Sequence, residues 1–108
     1  MKKITRFYKN IIFKFKNKID LDKKTLDINS LNNLFNYFGT DKGTHVVNPY
    51  SDDSNEVLGH GFAKYYEKKL AKLKYDSINI LEIGTWEGAS AAAFNKFFSN
   101  SVIYGLDK

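Results

Sequence analysis

The 108-residue chain has no cysteine, one proline, two histidines and no apolar run of the length that spans a bilayer. Without cysteine there is no disulfide scaffold, no thiolate metal site and no cysteine nucleophile, while the compartment stays open. Two histidines, His45 and His60, exclude a histidine-rich metal centre. A single proline beside seven glycines excludes a collagen-like or linker-like chain. The lack of about 18 consecutive apolar residues excludes a membrane-spanning helix. What remains is ordinary for one small globular domain: 43% apolar and 27% charged residues.

The net charge of +5 is unevenly placed. Residues 1–20 hold Lys2, Lys3, Arg6, Lys9, Lys14, Lys16 and Lys18 against Asp20 alone, so this arm carries +6 and the rest of the chain −1. The basicity is therefore no signature of a nucleic-acid platform, and no nucleic-acid partner is expected. Within the arm, Ile4, Phe7, Tyr8, Ile11, Ile12, Phe15 and Ile19 recur at the helical period, one apolar stripe on a basic helix. Such a stripe packs on its own domain or on a second subunit. It also suits an anionic membrane surface, where residues 2–19 would make a peripheral contact worth about 1 kcal/mol per cation. The broken run Ile11-Ile12-Phe13 and the lack of a small-residue cleavage site argue against a signal peptide.

Leu31, Leu34, Phe35 and Phe38 predict a helix started by Asn29 or Ser30 and stopped by Gly39. Residues 39–60, with Pro49, read as a long loop, and Phe62–Leu73 as a further helix. Asp52, Asp53 and Glu56 in that loop could ligate a hard cation, but a solvated loop is the simpler reading, and no metal site is assigned. The last third differs. Ile78–Ile83 is a β-branched run of the kind a buried strand shows, Gly88–Phe98 is alanine-rich, and Val102–Asp107 is a second strand. Strand, glycine loop, helix, strand predicts a βαβ unit with parallel strands.

Ligands of open α/β sheets bind at the carboxyl ends of strands, where Gly84 and Gly88 bracket Thr85, Trp86 and Glu87. Glycine there permits positive φ and close backbone approach. Asp107 ends the second strand, 19 residues past Gly88, where an acid can accept both hydroxyls of a ribose. The dinucleotide fingerprint and the P-loop ending are both absent, which makes NAD and a nucleoside triphosphate the weaker ligands. A tight turn with Asp107 as a surface acid is the bland alternative.

The run Leu81-Glu82-Ile83-Gly84-Thr85-Trp86-Glu87-Gly88-Ala89-Ser90 resembles the first motif of class I S-adenosylmethionine-dependent methyltransferases, and Ile103-Tyr104-Gly105-Leu106-Asp107 resembles their second strand with its ribose-binding acid. Upstream, Phe38-Gly39-Thr40-Asp41-Lys42-Gly43, His60-Gly61-Phe62 and Tyr65-Tyr66-Glu67 are similar to an element of the macrolide and sugar O-methyltransferase subgroup. The resemblance covers residues 35–108. It departs from the pattern at Trp86, where a glycine is common, and at Phe62, where tyrosine is common.

The resemblance implies an α/β fold: N-terminal helices followed by the first βαβ unit of a Rossmann-like sheet. Its parts would be a basic amphipathic helix over 1–20, a helical region over 21–77 and the start of the cofactor domain over 78–108. It implies S-adenosylmethionine as cofactor, with Glu82 near the methionine ammonium, Gly84 and Gly88 along the methionine and ribose, and Asp107 on the ribose hydroxyls. The acceptor would be a small molecule or saccharide, and a divalent metal such as Mg would belong to the complete protein. Thr40, Asp41 and Lys42 are capping and ion-pairing residues or site residues with equal warrant. His60, flanked by glycines, is a loop hydrogen-bonder and the best candidate base. A seven-stranded sheet needs more than two strands, so the chain is expected to be the front part of such an enzyme, inactive alone and able to self-associate. The expected location is the cytoplasm. The alternative function is a non-catalytic module recruited by the basic arm to a protein partner or to the inner face of a membrane.

Overall fold

A computed structural model describes Phe7, Tyr8, Ile11, Ile12, Lys14, Phe15, Asn17, Lys18 and residues 20–47 and 56–108. Helix α1 (Leu31–Phe38) begins and ends where its sequence directs. The Ser30 hydroxyl accepts the Asn33 amide at 3.3 Å, and Gly39 turns left-handed at φ 75°, its amide and that of Thr40 closing onto the Asn36 and Phe35 carbonyls. The first amide of α1 donates to Glu67 Oε1 at 2.7 Å, a carboxylate placed by the next helix at the positive end of this one.

Residues read from sequence as one loop contain two short strands, β1 (His45–Val47) and β2 (Glu56–Leu58), paired antiparallel. Three residues each are too few for a period-two pattern to stand out in a segment rich in turn formers. Helix α2 (Ala63–Leu70) tightens into a 3₁₀ turn over Ala71–Leu73, which divides the single helix expected there. Then come β3 (Ile78–Ile83), α3 (Ala89–Phe97) and β4 (Ser101–Leu106). Strands β3 and β4 pair in parallel, with Ile78 opposite Ser101 and Ile83 opposite Leu106, as the βαβ reading requires. The chain is a small α/β domain.

Its core is aromatic. Phe35 of α1, Tyr66 of α2 and Phe94 of α3 meet edge to face, with centroids 5.3 Å apart for Phe35–Phe94, 5.4 Å for Tyr66–Phe94 and 6.2 Å for Phe35–Tyr66. Leu31, Leu34, Ala93, Phe97 and Phe98 complete the buried layer, and Ile78, Ile80 and Ile103 pack the inner face of the sheet against it. Ahead of α1, Leu26 and Ile28 also pack on this core. That stretch is fastened by Lys96, whose ammonium donates to the carbonyls of Leu21 and Lys24, and by Lys74, which donates to that of Asn29.

The helices leave one face of the sheet uncovered: Leu81, Ile83, Val102, Tyr104 and Leu106 all point outward, from 51% to 77% exposed. Both strands alternate inward and outward, as a sheet does when helices cover one side of it. The described residues of the arm between 7 and 15 are helical, and Phe7 and Phe15 are 64% and 85% exposed. The rest of the predicted stripe, Ile4 and Ile19, and most of the arm's cations lie outside the described residues.

Phe94→Ala is expected to cost about 3–5 kcal/mol, enough to erase the cooperative urea transition of so small a domain. Tyr104→Ser on the open face should change stability by less than about 0.5 kcal/mol. Similar losses in both variants would show that the three rings do not hold the helices together.

Candidate functional site

The site is assembled from four backbone segments. Two parts of the upstream element, residues 41–44 and 59–62, are tied by main-chain hydrogen bonds. The amides of Gly59, His60, Gly61 and Phe62 donate to the carbonyls of Thr44, Asp41, Gly43 and Lys42 at 2.7 to 3.0 Å. This approach needs glycine at position 59, where a Cβ would stand 2.1 Å from the Gly43 carbonyl oxygen; a Cβ at Gly43 would instead meet the Asn36 side chain of α1, 2.2 Å from its Oδ1. Asn32 and Asn36 brace the same loop through Thr44, whose amide donates to Asn32 Oδ1 at 3.0 Å.

So anchored, Lys42 reaches the end of β3. Its ammonium lies 3.5 Å from Glu82 Oε1 and 3.3 Å from the Ser90 hydroxyl. Glu82 also accepts from Thr85 Oγ1 at 2.8 Å and from the Ser90 hydroxyl in the first turn of α3. The Glu82 side chain is 10% exposed and that of Lys42 25%. Charges that far from water require partners, and each supplies the other's. Among the described residues no buried side-chain nitrogen or oxygen lacks a hydrogen bond.

The loop between β3 and α3 is the third segment. Gly84, Trp86 and Gly88 take positive φ values of 81°, 50° and 82°. A Cβ on Gly84 or Gly88 would meet no atom within 4 Å, so the space before both glycines is open. The amides of Gly84 and Thr85 close onto the Leu106 carbonyl, and that of Gly88 onto Thr85. Trp86 is 53% exposed. Its amide donates to Asp107 Oδ2 at 2.5 Å, so the fourth segment, the acid after β4, is joined to the glycine loop. Gly105 makes room for this join. A Cβ there would come within 2.8 Å of Thr85 Cγ2.

The structure thus brings Glu82 together with Lys42, Thr85 and Ser90, and Asp107 together with the loop that Gly84 and Gly88 shape. His60 is not in contact with either group. Its ring stacks on Phe62 at 5.1 Å, and Nε2 lies 3.6 Å from Asp41 Oδ2 at an exposed site. Of the acids weighed as metal ligands, Asp52 and Asp53 lie outside the described residues. No three His, Asp or Glu among the described residues stand close enough to hold a metal ion. A cleft of about 600 Å³ runs along β3 beside Tyr66, Leu70 and Leu73, and both Lys42 and Glu82 line it. Gly84, Gly88 and Asp107 do not, so of the four residues the resemblance gives to the cofactor Glu82 alone stands on this cleft wall.

Sequence reasoning left Lys42 undecided and passed over Ser90 as a polar side chain. Forty residues separate Lys42 from Glu82, and no local pattern announces that they meet. Comparison with family models, with curated proteins and with solved structures finds no match for this chain. No helix among the described residues is long and apolar enough to cross a membrane.

Gly59→Ala and Gly61→Ala separate close approach from φ strain. Gly61 has φ 65° but open space around an added Cβ, so its variant should lose only about 1–2 kcal/mol. Gly59→Ala forces two backbone segments apart and should lower the thermal midpoint further. Equal midpoints would show that the two loop halves are not packed this closely.

Proposed function

We propose that this chain is the cofactor-binding portion of an S-adenosylmethionine-dependent O-methyltransferase with a Rossmann-like sheet. The observation that carries the proposal is the junction of Asp107 with the glycine loop. An acid at the end of the second parallel strand and an open loop at the end of the first share one edge of the βαβ unit, where sheets of this kind take nucleosides. The donor set fits such a ligand. Asp107 offers an exposed carboxylate to ribose hydroxyls, Gly84 and Gly88 leave room for close backbone approach, and Glu82 offers a carboxylate to an ammonium. Bound S-adenosylmethionine would supply a sulfonium-activated methyl group. The chain's own residues bind and orient it.

The acceptor is a sugar or glycosylated small molecule, on the likeness of the upstream element to that subgroup. His60, with Asp41 beside its ring, is the candidate to take a proton from an acceptor hydroxyl. The cytoplasm is the proposed location. Titration of the full chain with S-adenosylhomocysteine tests the reading. Wild type is expected to bind, with Asp107→Ala or Gly84→Val at least about tenfold weaker, as loss of a charge-assisted contact implies. No binding, or equal binding by all three, would sink it.

A second reading is favoured by the arm. Its described apolar residues are exposed on a helical, cationic segment, as a surface-lying membrane contact requires. Flotation with vesicles rich in anionic lipid, lost on deleting residues 2–19 and weakened by salt, is the expected outcome. Flotation that survives the deletion would exclude the arm as the recruiting element.

A further inference from the structure

The cleft along β3 is a groove beside a strand edge. Every residue of β3 lines it, those turned toward the core as well as those turned outward, and no residue of β4 does. The groove therefore follows the edge of β3 that faces away from β4. The ladder fixes what this edge presents. The amides of Ile78 and Gly84 donate to the carbonyls of Asn100 and Leu106 on the β4 side. By the two-residue period of a strand, Ile80 and Glu82 point there too. Asn79, Leu81 and Ile83 turn their amides and carbonyls the other way, toward the groove. Among the described residues no third strand pairs with them. Backbone donors and acceptors beside an apolar wall are satisfied most fully by another extended backbone.

We propose that this groove takes one extended segment of a separate polypeptide as a third strand, bonded to the main chain of Asn79, Leu81 and Ile83. Main-chain bonds supply the affinity in such strand addition, and pockets for alternate side chains supply the choice of partner. Here every second side chain of the segment would lie against Leu70, Leu73 and Phe98, so those positions are apolar. The side chains between them would face the open side, next to Leu81 and Ile83, which are 62% and 77% exposed. Lys42 and Glu82 close one end of the groove as a pair and leave it no strong net charge. A lone segment fits better than the β3 of a second copy. That strand would bring its own α2 into the space that Tyr66 and Leu70 of the first already border. The proposal is independent of the nucleoside reading, because Gly84, Gly88 and Asp107 stand off this groove.

The probe is a short peptide of alternating valine and threonine with lysine at each end, N-methylated at its threonines so that only one edge can bond. Its control has the same side chains and is N-methylated at every residue. The full chain is expected to bind the probe at least about tenfold more tightly than the control, since the control offers β3 no donors. Amide hydrogen exchange locates the contact. In the free chain Ile80 and Glu82 should exchange slowly and Asn79, Leu81 and Ile83 quickly, and the probe should slow the second set alone. Leu81→Pro removes the central donor on the groove side and leaves the bonds toward β4 in place, so it should weaken probe binding at least about tenfold. Leu81→Ala keeps that amide and should bind within a few-fold of wild type. No binding, equal binding of probe and control, or binding that leaves the three amides fast overturns the proposal. So does equal weakening by Leu81→Pro and Leu81→Ala. Slow exchange at the three amides without peptide, together with a doubled mass in solution, would make a second copy the occupant and overturn it as well.

Discussion

Three aromatic rings, one from each helix, hold the fold: Phe35, Tyr66 and Phe94 touch in a mutual edge-to-face arrangement. Each contact adds about 0.5–1.5 kcal/mol to the area its rings bury, and every helix takes part in two of the three. The sheet then has a surface to lie on, through Ile78, Ile80 and Ile103. Because β3 sits directly on that layer, the height of Glu82 above the core is set by it. The ring cluster also brings α1 close enough for Glu67 to cap its first amide, so the loop after α1 starts from a fixed point.

From that fixed point the polar site is positioned by backbone, with side chains added last. Residues 41–44 and 59–62 bind each other through amides and carbonyls, and Gly59 allows an approach that a Cβ would block. The result is a lysine delivered from one end of the chain to a glutamate at the end of a strand. Ser90 then bridges the pair, since it touches both Lys42 and Glu82. Two elements far apart in sequence therefore converge on one carboxylate.

Much of this was legible beforehand, and the reasons for the misses are physical. Helix α1 announced itself because Ser30, the Leu31–Phe38 stripe and Gly39 act locally, within one turn of the residues they control. The parallel strands were legible for the same reason: β-branched runs ending at Gly84 and Asp107. The β1–β2 ribbon was missed because its strands are short and are held by the glycine-rich loops beside them. An uncovered apolar face was legible, because two strands offer more apolar surface than the helices can cover, but which side chains it holds was not, because Leu81, Ile83, Val102 and Leu106 are as apolar as their inward neighbours. Composition alone cannot tell a covered face from an uncovered one. Lys42 was left undecided because its meaning depends on a partner that only folding brings near.

The clasp made by Lys96 and Lys74 on the stretch before α1 divides the chain into two electrostatic regimes. These ammonium groups donate to carbonyl dipoles, and the Lys96 contacts are partly buried, so dissolved ions screen them weakly. Lys14 and Lys18 of the arm are exposed, and the attraction of exposed charge falls away as the Debye length shrinks from about 10 Å at 0.1 M salt to about 3 Å at 1 M. Ionic strength therefore acts as a selective reagent on this molecule. It can detach whatever the first twenty residues hold while the segment just after them stays seated on the aromatic core.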